Sequence, residues 1–398
     1  MKILIVSQYF WPEEFRINDL AIDLIERGHT VSVITGNPNY PKGKYFKGYG
    51  LKYSTEIHKG IRIFRVPIFA RGNTSFNLIV NYLSFIFFGS VFSFFHKEKY
   101  DKVFAVNYSP ITAVIPAIVY CKKNKLKLAI WVLDLWPESV IAASNIKSKK
   151  IQKWLTILVK FIYKNSDTIF VANEGFEKSL IEKEVTKNKI FFMPNWAEDI
   201  FLKNQKSKYN RKKYDIPDGF VIMFAGNLGE GQDFQSIIKA VELTKENEEI
   251  KWVFVGDGRK YNWLKQEVIE KKLETTVTLT GRLPTNSMPE LFRQANMMLV
   301  SLNNAPIFSL TVPGKVQSYM ASSKPILTML NGEANNLVTQ ANCGFIAESG
   351  DYHQLSENIK KCANLLPKEL EEIGKNGLRY YQDNFSKKII IDNFINRL

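Results

Sequence analysis

The sequence predicts an α/β protein built from two successive domains, each an open, mainly parallel sheet with helices between its strands. Three observations lead there. A chain of 398 residues is longer than one ordinary core requires and suits two domains of about 150–200 residues each. Short apolar runs recur along its whole length with helical segments between them. A stretch at 199–219, rich in Lys, Asn and Tyr and closed by Pro217, separates two series of such runs. The boundary is drawn near residue 203, giving domains 1–202 and 203–386.

The first series opens with strand KILIVSQYF, a polar loop, a helix over 17–27 stopped by Gly28, and strand TVSVIT, which together make a βαβ unit. KVFAVN, KLAIWVLDLW, TIFVAN and KIFFMPNW continue it. The second series runs FVIMFAGNLG, KWVFVGDG, VTLTG, NMMLVSL and KPILTML. Sheets of this kind bind ligands beyond the carboxyl ends of their strands.

Composition narrows the partners. Against 39 Asp plus Glu stand 54 Lys plus Arg, a net charge of +15 that favours anions: nucleic acid, phosphorylated small molecules or an anionic membrane surface. Cys121, Cys343 and Cys362 form no CxxC pair and no metal-ligand spacing, so a reduced compartment is the simplest reading. MKILIVSQYF runs into the acidic WPEEF and not into a small-residue cleavage site, so it reads as a first strand in a cytosolic protein. Residues 72–95 carry no charged residue and approach the roughly 20 apolar residues of a membrane span. A span would part the first βαβ unit from the strands completing its sheet, and Asn77, Asn81 and Ser84 form a polar stripe. Two readings stay open for this segment: a helix lying at a membrane surface beside lysines at 122–127 and 147–153, or a phenylalanine-rich core helix.

Four strands of the second series end in glycine-bearing loops: Gly226 with Gly229 and Gly231, Gly256 with Gly258, Gly281, and Gly314. Asp257, Arg282 and Lys315 lie in or beside them. At 311–314, Thr311, Pro313 and Gly314 mark a helix start, with Thr311 as the hydroxyl cap. Such a start carries roughly +0.5 of an elementary charge and favours a phosphate. Val316, Tyr319 and Met320 share an apolar face of that helix, while Lys315, Ser318 and Ser322 share a polar face expected to look outward. An ordinary capped helix with a solvated lysine is the alternative; the other three loops favour a diphosphate site.

SQYFWPEEFRINDLA, ERGHTVSVITGNPNYPKGK, LDLWPES, MPNW, FAGNLG, VFVGDG and VPGKVQSYMASSKPIL together resemble a family 4 glycosyltransferase of the two-Rossmann GT-B type. The capsule and O-antigen transferases, including proposed N-acetyl-L-fucosamine transferases, are the most similar group. The resemblance implies two Rossmann-like domains facing across a cleft. The acceptor would sit on the first and the nucleotide sugar on the second, with a last helix at 387–398 packing back onto the first. It implies a retaining transfer from a UDP-sugar to a polyprenyl-diphosphate-linked glycan precursor at the inner face of the cell membrane. No cofactor, metal or nucleic acid is expected, and no DxD pair occurs. A nucleotide-sugar 2-epimerase and a non-catalytic glycan- or lipid-binding partner are the alternatives.

The sequence departs from that family's pattern at several positions. Its donor-site glutamates fall here on Leu310 and Ser318, and its arginine and lysine after the first strand of the second domain fall on Asn227 and Gln232. The expected donor set is therefore Gly226, Asn227, Gln232, Asp257, Arg282, Thr311, Gly314, Lys315, Ser318 and Glu333, with Glu333 in place of an acid on the ribose. Asp134, flanked by Trp131 and Trp136, is the expected catalytic carboxylate, with a helix-cap role as its alternative; Lys315 stabilises the leaving group. The first loop presents Glu13, Glu14, Arg16 and Asn18, and the acceptor is assigned to Arg16, Asn18, Tyr40 and Tyr108.

Overall fold

The computed structural model describes residues 1–144, 146–202 and 211–398, and they form two compact units. One comprises residues 1–194 with 391–398, the other residues 195–390. The expected junction at residue 203 lies outside the described residues; the chain passes between units at 194/195 and again at 390/391.

In the first unit the strands are β1 (Lys2–Val6), β2 (Thr30–Gly36), β3 (Ser54–His58), β4 (Ile61–Val66), β5 (Lys102–Asn107), β6 (Leu128–Val132), β7 (Thr168–Val171) and β8 (Ile190–Phe192). Their order is β3-β4-β2-β1-β5-β6-β7-β8, parallel throughout except for the β3–β4 hairpin. The interior strands read as unbroken apolar runs because helices cover both faces. Direction along the sheet reverses between β1 and β5, so their following loops part and leave a crevice at the carboxyl edge.

The second unit holds β9 (Phe220–Ala225), β10 (Ile250–Val255), β11 (Val277–Gly281), β12 (Met297–Ser301), β13 (Ile326–Met329) and β14 (Gly344–Ala347). All are parallel, in the order β11-β10-β9-β12-β13-β14. This is the doubly wound order, with its reversal between β9 and β12. Its core gathers Phe224, Phe234, Trp252 and Phe254 on one side of the sheet.

The last helix, Lys387–Arg397, begins in the second unit and ends in the first. Within the first unit Phe394, 1% exposed, meets Phe104 at 4.7 Å and Phe170 at 5.1 Å between ring centroids. Asp392 pairs with Arg27, which also binds Asp23, and Lys102 Nζ donates to Leu398 O at 2.6 Å. Burial of a whole phenyl ring makes Phe394 the main anchor. Phe394→Ala should lower the first unit's stability by about 3–5 kcal/mol in chemical denaturation, while exposed Lys388→Ala should change it by less than about 0.5 kcal/mol.

Candidate functional site

In the second unit the loops leaving β9 and β12 lie against each other at the reversal point. Asn303 N–H donates to Gly231 O at 2.8 Å, Ser301 Oγ to Gln232 O at 2.6 Å, and Phe308 packs on Gly231. Lys315 reaches under them. Its Nζ lies 3.3 Å from Gln232 Oε1 and 3.7 Å from the centroid of the Phe224 ring, a cation–π contact. No carboxylate pairs with it among the described residues. Burial pushes the ammonium down to about 7.

Glycines make the room. Gly226 has φ +139°, and a Cβ there would stand 3.3 Å from Lys315 Nζ. A Cβ on Gly256, at φ +143°, would lie 1.9 Å from Gly226 O, so the turns after β9 and β10 touch backbone to backbone. Asn227 is exposed beside Gly229 and Gly258, and Asp257 is exposed with Oδ1 accepting from Gly258 N–H at 2.7 Å.

Several expected donor residues take other roles. Thr311 does not cap the helix: its hydroxyl donates back to Phe308 O at 3.0 Å, and Gly314 holds the cap position of helix Lys315–Ala321 with no side-chain bond. Val316 and Ser318 N–H groups already bond Pro313 O and Gly314 O. The polar face does not look outward either. Ser318 is buried and its hydroxyl donates to Gly314 O at 3.4 Å, because the whole helix from Val316 to Ala321 is covered. Arg282 is exposed after β11, which β10 separates from β9, and no contact brings it to Lys315. Glu333 opens helix Glu333–Gln340 beside Gly332, whose tight approach to Ser309 O sets this turn against the segment carrying Leu310.

In the first unit Asp134 stands beyond β6. Its Oδ2 accepts from Trp136 Nε1 at 3.2 Å, and its carbonyl accepts from Asn107 Nδ2 at 2.9 Å. Burial raises its carboxyl above the ordinary range, against hydrogen bonds from Ser139, Trp136, Ser109 and the Leu135 N–H. Trp131 does not flank it: the ring is fully buried and its Nε1 donates to Met193 O at 2.9 Å. Of the expected acceptor residues, only Tyr40 remains open, 37% exposed. Asn18 is tied to the first loop through Trp11 N–H and Glu13 O, Tyr108 accepts from Ile17 N–H at 2.9 Å, and Arg16 pairs with Asp19 at 3.1 Å.

Two residues stand out beyond the expected site set: Glu13, named in the first loop without a role, and Arg71. Glu13 is 2% exposed, and its Oε1 accepts from the N–H groups of Asn39 at 2.8 Å and Tyr40 at 2.7 Å, fastening the loop after β2 to that after β1. Burial pushes its carboxyl up to about 7 against those bonds. Arg71 places its guanidinium 5.3 Å from the Tyr40 ring with no carboxylate partner among the described residues. A lone Arg in the charge-poor run ARGNTS was its only sequence signal.

The Lys315 environment has a measurable consequence. An amine held near 7 in the fold and at about 10.5 when unfolded leaves the unfolded chain with more bound protons between those values. The burial cost is thus complete below pH 7 and fades as pH rises toward about 10.5. Lys315→Met, which keeps the aliphatic stem, should raise stability at pH 6 by an amount on the order of 1 kcal/mol, and the gain should shrink across that window in pH-dependent thermal melts.

Comparisons with known proteins bear on the fold and the enzyme class. Residues 206–379 match the family model described as Glycosyl transferases group 1. The chain is 27% identical over 293 residues to the probable glycosyltransferase WbjE of Pseudomonas aeruginosa, covering 70% of this chain and 71% of that one. It is 22% identical over 270 residues to the putative colanic acid biosynthesis glycosyl transferase WcaI of Escherichia coli K12, covering 65% and 66%. Among solved structures, Anabaena HepE in complex with UDP and glucose superposes with a TM-score of 0.69 at 15% identity over 100% of this chain and 98% of that one. Sucrose-phosphate synthase of Thermosynechococcus elongatus does so with 0.74 at 15% identity over 99% and 97%. Two doubly wound parallel units, a matched group 1 domain and these relatives together make the chain a glycosyltransferase of the GT-B fold.

Proposed function

We propose that the chain transfers a sugar from a UDP-sugar to a lipid-linked, polyprenyl-diphosphate glycan precursor at the cytoplasmic face of the cell membrane, in synthesis of a bacterial surface polysaccharide. The donor's diphosphate lies at the β9/β12 reversal point. One observation carries this: Lys315 holds an ammonium there without a carboxylate, under glycines that let a phosphate approach. A desolvated cation of this kind attracts an anion strongly, and the attraction grows as the leaving group gains charge, so Lys315 acts on the departing UDP. Glu333 takes the ribose side, and Arg282 stands one strand further off for the sugar.

On the acceptor side, Asp134 orients or deprotonates the acceptor hydroxyl, while Tyr40 and Arg71 contact the glycan or its phosphate. Transfer is retaining by likeness to the family 4 enzymes. An N-acetylated amino sugar such as N-acetyl-L-fucosamine is the first donor to test, on the sequence resemblance to the capsule and O-antigen transferases.

Calorimetry tests the donor site. Lys315→Ala should weaken UDP by about tenfold to a hundredfold, the worth of a charge-assisted contact, and leave uridine nearly unchanged. Equal affinities of wild type and variant for UDP would remove Lys315 from the site. In turnover assays with a panel of UDP-amino sugars, Asp134→Asn should lower kcat by about a hundredfold at unchanged UDP affinity. Isomerised donor without UDP release would overturn the transferase reading.

A further inference from the structure

The helix Ser75–Phe95 is amphipathic in the opposite sense from a core helix. Asn81, Ser84, Gly89 and Ser93 face the protein together with Phe85, while Asn77 of the expected polar stripe is exposed in the first turn. Asn81 accepts from Gln8 Nε2 at 2.8 Å and donates to Phe69 O at 2.6 Å, and Ser84 Oγ accepts from Phe69 N–H at 3.0 Å. Gly89 meets Pro116 so closely that a Cβ there would lie 2.8 Å from its Cγ. Outward, at spacings of three and four, stand Phe76, Ile79, Leu83, Phe87, Val91 and Phe94, with Phe87 61% exposed.

A second helix, Lys149–Lys164, repeats the pattern with Ile151, Trp154, Ile157 and Phe161 exposed on one face, Trp154 by 72%. The helix between them in space, Ile115–Asn124, joins the two faces through adjacent lysines. Lys122 Nζ lies 5.5 Å from the Phe161 ring, and Lys123 Nζ lies 5.4 Å from the Phe94 ring while donating to Phe94 O and His96 O. Lys122 and Lys123 thus link the C-terminal ends of the two apolar stripes. Neither outer helix contains an acidic residue, and Lys149, Lys150, Lys153 and Lys164 stand exposed around the second.

We propose that these helices form one docking face that lies flat on an anionic lipid bilayer, the aromatic stripes in the headgroup–acyl boundary and the lysines on lipid phosphates. Exposed apolar stripes bordered mainly by lysines, with Glu184 on Lys160 as an acid beside them, fit an anionic membrane interface. A second copy of the same face would bring lysine against lysine, so the observations favour lipid over self-association. Spanning is disfavoured because it would strip Asn81 and Ser84 of the partners that hold the helix to the fold. The inference extends the reading of a lipid-linked acceptor and uses none of the donor-site geometry.

Co-sedimentation of the full chain with vesicles of equal parts phosphatidylglycerol and phosphatidylcholine, and with phosphatidylcholine alone, tests it. The wild type should bind the mixed vesicles far better. Lys149→Ala/Lys150→Ala/Lys153→Ala should weaken that binding about tenfold, and Phe87→Ser/Trp154→Ser should weaken it at least as much. Both variants should retain UDP binding, which separates loss of docking from loss of the fold or of the transferase reading. If the aromatic variant fails to fold, the lysine variant decides. Equal sedimentation of wild type and lysine variant overturns the proposal, as does a wild type that resists alkaline carbonate extraction from membranes, or a lipid-free dimer abolished by the aromatic substitutions.

Discussion

A single unneutralised amine organises the second unit. Lys315 comes from the helix after β12, yet its ammonium lies under the turn after β9, which requires Gly226 to have no side chain and Gly256 to rest directly on the Gly226 carbonyl. The resemblance puts a lysine where this chain has Gln232 and a glutamate where it has Ser318. Both changes act on one charge. The cation now arrives from the opposite side of the crevice and meets Gln232, and an acid at 318, one turn along the same helix, would have paired with it. Serine there bonds the Gly314 carbonyl one turn back, so no acid on the helix neutralises the amine before a ligand arrives.

Both sheets were legible because strands covered on two sides read as uninterrupted apolar runs, and the parallel order follows from the helices between them. The β3–β4 hairpin was not. Alternating exposure along STEIH and the buried Arg65 in IRIFRV, which pairs with Glu56 and bonds Gly36 O, break the apolar signal. The glycine loops and Lys315 were legible as a group. What failed were orientations decided by distant parts of the chain: Trp131 turns into the core, Ser318 is covered, and Asn18 and Tyr108 are used up in holding the first loop. Glu13 depends on N–H groups 26 and 27 residues away, a pairing no local pattern encodes.

The Ser75–Phe95 helix shows the same limit from the other direction. A polar stripe on a helix ordinarily marks the side facing water. Here Asn81 and Ser84 find better partners in Gln8 and the backbone of Phe69, so burial costs them nothing in hydrogen bonds, and Phe76, Phe87, Phe94 and Phe95 are left outside. Periodicity located the stripe; only the partners reveal which way it faces.

The first unit is completed by residues 391–398, which follow the whole of the second unit in the chain. Topologically, the second unit is an insertion between the penultimate and final pieces of the first. During synthesis, therefore, the eight-stranded sheet emerges with the site for Phe394 between Phe104 and Phe170 still vacant, and it stays so until some two hundred further residues have been made. The second unit meets no such delay, since every strand of its sheet is contiguous. The first unit's strands are thus the first to leave the ribosome, while the residues that complete its core are among the last.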